Sequence, residues 1–122
     1  MAKAQEKLAV AQELAKRQHY DDAVSRAYYA AFHAAQAALI SEGHEADTHK
    51  GVVTLFGLFL VKSGKFDKRY GKVLANLKDD RELGDYEALS FIDEETAKRA
   101  VAEAEMFYKA VERYLKKNKL LK

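Results

Sequence analysis

The densest group of chemically versatile side chains lies in one short stretch, Ser25, Arg26, Tyr28, Tyr29 and His33. On a helix, Ser25, Tyr29 and His33 fall at i, i+4 and i+8, so they line one face with Arg26 beside them. A hydroxyl, a guanidinium, a phenol and an imidazole arranged this way can grip a phosphate or a nucleotide. The same spacing suits residues that edge a bundle while Tyr28 packs inward. A second group follows Thr48, where His49 and Lys50 open a further helix. Backbone N–H groups at a helix start attract anions, so these two residues can help hold a phosphate, or simply project into solvent beside the cap. Arg81 follows Leu77 by four residues and Val73 by eight, which continues an inward-facing stripe. A guanidinium there needs a partner, and Asp85, one turn on, is the nearest in sequence. Either an Arg81–Asp85 pair fixes the helix packing, or Arg81 faces a cleft or subunit interface and holds a phosphodiester.

Other chemistries are poorly provided for. The chain has no cysteine, which removes thiol catalysis, disulfides and zinc–thiolate sites. It has no glycine-rich phosphate loop. Its four histidines show no tight ligand spacing; His44 and His49 fall around a loop, so no metal and no cofactor is expected. The 19 acidic residues always permit carboxylate pairs, so such pairs carry no signal. The lysines at positions 116, 117, 119 and 122 suit a solvated helix end better than a nucleic-acid site. A net charge of +2 is too small to predict nucleic-acid binding from the overall field. No apolar run is long enough to span a membrane, and the start lacks the apolar core of a secretion signal, so a cytoplasmic protein without membrane contact is expected.

The elements that must position these residues are helical throughout. At 122 residues the chain suits one domain, and it is rich in good helix formers with no proline. Leu8, Ala11, Leu14 and Ala15 predict a first helix over about Lys3 to Gln18. Asp21 or Asp22 can cap a second, which runs to about Ser41 and ends near Gly43. Its stripe of Val24, Ala27, Tyr28, Ala31, Ala35, Ala38 and Leu39 is so rich in alanine that neighbouring helices can approach closely, which places it at the centre. Thr48 can cap a third helix over Val52 to about Val61, apolar nearly all round and therefore either buried or half engaged in a subunit interface. Gly64 ends it. A fourth helix is predicted from about Asp67 to Gly84 with Val73, Leu74 and Leu77 inward, then a loop from Tyr86 to Ile92. Asp93 caps the last helix, whose inner face is Ala97, Val101, Ala104, Phe107, Tyr108, Val111, Tyr114 and Leu115. The expected architecture is all-α, an antiparallel four-helix bundle with one additional short helix.

Several segments resemble landmarks of the HEPN family. The run from Tyr20 to Ala35 (YDDAVSRAYYAAFHAA) is similar to its signature helix, and Thr48-His49-Lys50-Gly51-Val52 to its next landmark. Arg81-Glu82-Leu83-Gly84-Asp85-Tyr86 resembles its Arg-x-x-x-Asp-Tyr segment, and the closing helix with Ala100, Ala104, Glu105 and Phe107 is also similar. These occur in family order over about residues 5 to 115. The resemblance implies a helical bundle, usually a homodimer, often encoded beside a minimal nucleotidyltransferase as the toxin of a toxin–antitoxin pair. It further implies RNA or nucleotide as the ligand, with Arg26, Tyr29, His49, Arg81 and Asp85 as binding residues. Active members are metal-independent ribonucleases in which an arginine is followed four to six residues later by a histidine. Here Asp85, Tyr86 and Glu87 follow Arg81 at that distance, and no histidine occurs after His49. Arg26 and His33, with six residues between them, fit the spacing only when the intervening residues are counted, and they lie in a different helix, about 10 Å apart in rise. Tyr86 can replace the missing histidine only as a poor base, since a phenol ordinarily titrates near pH 10. The sequence therefore favours a HEPN-type nucleic-acid or nucleotide-binding module. A ribonuclease using Arg81 and Tyr86, and a purely structural interaction domain, are its alternatives.

Overall fold

The computed structural model describes residues 1–85 and 92–118, and the side chains of all of these except 83–85. Helices α1 (Ala2–Lys16), α2 (Tyr20–Ser41) and α3 (His49–Phe56) are followed by a π-helical turn (Gly57–Val61), α4 (Lys68–Asp85) and α5 (Glu94–Lys117). No described residue lies in a strand, so the chain is all-α as its patterning requires. The predicted loop residues 86–91 lie outside the described residues.

Helix α2 packs against α1, α3, α4 and α5, and its composition explains how it can. Every residue of the predicted stripe is buried, and Ala23, Ala30, Phe32 and Ala34 are buried with it. Seven fully buried alanines on this helix leave room for neighbouring backbones on several sides. From α5 come Phe107, Val111 and Leu115, from α4 Leu74 and Leu77, and from α3 and the turn Val52, Phe56 and Leu60, all in one core cluster. Val101 and Tyr114, expected inside, are half-buried, while Ala100 and Ala110 are buried in their place. Ile92, ahead of α5, is buried as well.

The helix ends follow local chemistry, with two corrections. Asp93 and Thr48 cap α5 and α3, accepting from the backbone N–H of Thr96 (2.8 Å) and Gly51 (2.9 Å). Neither Asp21 nor Asp22 caps α2; the N-cap is His19, which makes no side-chain cap bond. Both aspartates sit in the first turn, where the helix dipole favours them. Asp21 instead accepts from the Ile92 backbone N–H at 3.1 Å, tying the start of α2 to the approach of α5. Helix α1 closes with Gln18 in the left-handed region (φ 66°), its N–H on the Ala15 carbonyl and that of His19 on Leu14. Gly43 does the same for α2 without strain (φ 83°).

The third helix also departs from expectation. It begins at His49 and widens into a π turn at Gly57, where the Lys62 N–H reaches back five residues to the Gly57 carbonyl at 2.9 Å. The wider turn suits an inward spacing of four, and Val52, Phe56 and Leu60 are fully buried. Leu58 is left 48% exposed, with Ile40 of α2 at 60%, so the apolar surplus of this segment is only partly absorbed.

If close approach to α2 sets the fold, enlarging one of its alanines must cost stability. Ala31→Leu, which adds three carbons to a fully buried site, is expected to destabilise by about 1–3 kcal/mol in urea unfolding. An unchanged midpoint would show slack around α2.

Candidate functional site

The site forms where α2, the start of α3 and the far part of α4 meet. Tyr28 is fully buried on α2, and its hydroxyl lies 2.7 Å from Nδ1 of His49, the first residue of α3. The imidazole is enclosed by rings of α2, with centroids at 4.7 Å for Phe32, 5.4 Å for Tyr28 and 5.7 Å for Tyr29. From α4 the Arg81 guanidinium lies over the same tyrosines, 5.1 Å from the centre of Tyr29 and 5.8 Å from that of Tyr28. Arg81 is half-buried and its Nε is buried.

The capping of α3 fixes this corner. A Cβ at position 51 would stand 2.7 Å from the Thr48 hydroxyl oxygen that caps the helix, so glycine permits the tight entry that brings His49 against Tyr28. On the other side, His33 stacks with Tyr29 at 6.3 Å, and its Nδ1 lies 3.2 Å from Gln36 Oε1. The Gln36 amide in turn donates to the Ala46 carbonyl at 3.0 Å, which anchors the segment leading to α3.

Electrostatics assign the protons. Burial pushes the Tyr28 phenol well above its usual range, so it stays protonated. Burial also holds His49 below the ordinary imidazole value; Arg81 and Lys78 push the same way, and Glu82 opposes them. His49 is thus neutral near pH 7. Among the described residues the buried Tyr28 hydroxyl has only His49 Nδ1 as an acceptor, and a buried O–H without one costs about 1–3 kcal/mol. The arrangement that satisfies both groups has Tyr28 donating to Nδ1 and the proton of the ring on Nε2. His49 is then a hydrogen-bond donor beside a guanidinium, and not a base. Lys78 is engaged with Glu82 at 2.6 Å, one turn along α4.

Of the residues singled out from sequence, the fold brings Tyr29, His49 and Arg81 together and adds His33 at the edge. Arg26 is exposed and joins none of these contacts, and Lys50 is exposed too. Arg81 does continue the stripe of Val73 and Leu77, and its guanidinium lies over the tyrosine pair of α2. The side chain of Asp85 and all of Tyr86 lie outside the described residues. His44 stacks on Phe59 at 3.8 Å. The role of Tyr28 was missed. Its signal was available, since a tyrosine amid buried alanines needs a partner for its hydroxyl.

A stability profile tests this proton assignment. His33, like His49, is held below the ordinary imidazole value, chiefly by burial. Unfolding releases both rings to a value near 6.5, so acid favours the unfolded chain. The contribution is complete above that value and is lost as the pH falls through it toward the lower folded values. The thermal midpoint should therefore drop between about pH 7 and 5, before most carboxylates titrate. A His33→Gln/His49→Gln variant should show a shallower drop, and a flat wild-type profile would contradict the assignment.

Comparison with known proteins places this geometry in a family. The HEPN domain model matches residues 1–114. A protein of Methanocaldococcus jannaschii named as a candidate toxin is 37% identical over 113 residues, covering 93% of this chain and 84% of its own length. A UPF0332 protein of Thermotoga maritima is 35% identical over 113 residues, covering 93% and 86%. A second candidate toxin of M. jannaschii is 28% identical over 120 residues, covering 98% and 82%. With a match that runs through all five helices and takes in the Tyr28–His49–Arg81 corner, the chain belongs to the HEPN family.

Proposed function

We propose that this chain is a toxin-like HEPN module that binds the phosphate of RNA or of a nucleotide at the Tyr28–Tyr29–His49–Arg81 corner. The observation that carries the reading is the Tyr28 hydroxyl on His49 Nδ1. It leaves Nε2–H as a neutral donor next to the Arg81 guanidinium, a pair suited to holding an anion. Binding does not call for a base, and His49 in this tautomer does not offer one. The partner in this reading is a minimal nucleotidyltransferase, as the family resemblance implies and as the toxin names of two relatives support. No helix among the described residues is long and apolar enough to cross a membrane, which is in keeping with a cytoplasmic role.

The ribonuclease alternative gains one point from the fold. Although no histidine follows Arg81 in sequence, His49 lies against the same two tyrosine rings as Arg81. To act as a base, its ring proton would have to sit on Nδ1 and point at Tyr28, leaving that buried O–H without its acceptor. This cost favours binding over cleavage.

Fluorescence anisotropy with a labelled single-stranded RNA and with a nucleotide separates the two. Arg81→Lys, with a folded circular-dichroism spectrum, should weaken binding roughly tenfold or more, since a point charge replaces a planar fork. His49→Ala should weaken it about as much, and His49→Gln, which keeps an N–H donor, less. Chelator-resistant cleavage of the RNA, lost in both Arg81→Lys and His49→Ala, would replace this reading with the ribonuclease. Unchanged binding in Arg81→Lys would end it.

Homodimer formation is part of the same reading, supported by Leu58 and Ile40, large apolar side chains left about half exposed or more. Sedimentation equilibrium at micromolar concentration should give a dimer for the wild type and a monomer for Leu58→Glu/Ile40→Glu. A wild-type monomer would remove the dimer from the proposal.

A further inference from the structure

A groove beyond the C-terminal end of α2 shares no residue with the corner just described. It lies between the start of α4 and the end of α5. From Tyr29 to Glu42 the two places are roughly 20 Å apart along α2. Two adjoining hollows of about 380 and 310 Å³ share Lys65, Tyr114 and Lys117. Each falls within the range of small-ligand sites, roughly 300–1,000 Å³. Ala110, Arg113, Tyr114 and Lys117 recur at i, i+3, i+4 and i+7 along one face of α5, and the small Ala110 leaves the floor open.

The charges around it are unevenly matched. Both rim carboxylates are already engaged. Asp67 accepts from the Arg69 backbone N–H at 2.9 Å. Glu42 accepts from the Lys65 ammonium and the Tyr114 hydroxyl. Lys65 is thereby offset. Arg113 and Lys117 are exposed and form no ion pair with a described residue, whereas the neighbouring Lys116 is paired with Glu112 at 3.9 Å. Two cations one turn apart thus flank Tyr114, whose half-buried ring is backed by Phe66 at 5.0 Å. Surplus cations beside an aromatic wall fit a phosphate attached to a flat ring better than a bare anion or a carboxylate.

We infer that this groove is a second anion site, which takes the phosphate of a nucleotide on Arg113 and Lys117 with its base against Tyr114. The nucleotide is either free or part of an RNA strand. The inference uses neither Arg81 nor His49 and stands whether or not the first corner binds its ligand.

Amide chemical-shift mapping of the full ¹⁵N-labelled chain tests it, with AMP, inorganic phosphate and a short oligoadenylate as probes. AMP should shift the amides of Gly64, Lys65, Tyr114 and Asn118. Arg113→Ala/Lys117→Ala, which alters only exposed side chains, should weaken that binding about tenfold or more. Arg81→Lys should leave it unchanged. Oligoadenylate binding tighter than AMP at the same amides identifies an RNA strand as the source, and equal affinity a free nucleotide. The inference is overturned if these amides do not move, if the shifts survive the double substitution, or if inorganic phosphate binds as well as AMP.

Discussion

Everything in this fold depends on how closely the other helices can approach α2. A central helix must present an apolar surface on several sides, yet large side chains all round would hold its neighbours apart. Alanine resolves the conflict, and α2 buries seven of them completely. The few large side chains on this helix then sit where a neighbour has left space, and Tyr28 is the largest of its fully buried ones. Because that space is closed, its hydroxyl has to be satisfied from within the protein, and the group that does so is His49. The chemistry of the corner is thus a consequence of the packing. One polar atom, buried with the core, orients the imidazole, and the tautomer that satisfies both groups carries its proton on Nε2.

Arg81 is placed by the same logic from the other side. It continues the inward stripe of α4, so its aliphatic stem follows Leu74 and Leu77 toward α2, where its guanidinium meets two tyrosine faces. An aromatic face accommodates a guanidinium through the ring's negative face and holds its plane in place. It also bears on His49, disfavouring a second positive charge on the ring. Arginine and imidazole thus both rest against the tyrosines of α2.

Sequence periodicity conveyed the helices well because burial repeats along them. The stripes of α2 and α4 and the caps at Thr48 and Asp93 are local patterns, each legible within a few residues. The α2 cap was not, since Asp21 is recruited by the N–H of Ile92, far away in the chain. The π turn at Gly57–Val61 was equally hidden; apolar residues nearly all round a short helix fit either winding. The site was half legible. Tyr29, His49 and Arg81 were chosen by type and by likeness to family landmarks. That His49 supplies the imidazole beside Arg81 was not readable, because search by spacing looks along one helix while the pair is assembled across α3, α4 and the rings between them. Arg26 illustrates the converse, a residue of the right type that the helix turns outward.

The small net charge conceals how the charges are arranged. Many of the surface charges cancel locally in pairs one helical turn apart, as in Arg17–Glu13, Lys98–Glu94, Arg99–Glu103, Lys109–Glu105 and Lys116–Glu112. Exposed pairs of this kind add little to stability. Their larger effect is on the field, because they remove those residues from the count of charges an anion can find. A net charge of +2 then says little about attraction. What matters is which cations stand outside such pairs, and Arg113 and Lys117 do so side by side. At ordinary ionic strength a Debye length of about 8 Å confines their influence to their own groove. On a nearly neutral chain, attraction for an anion is therefore a local matter, governed by a handful of nearby residues.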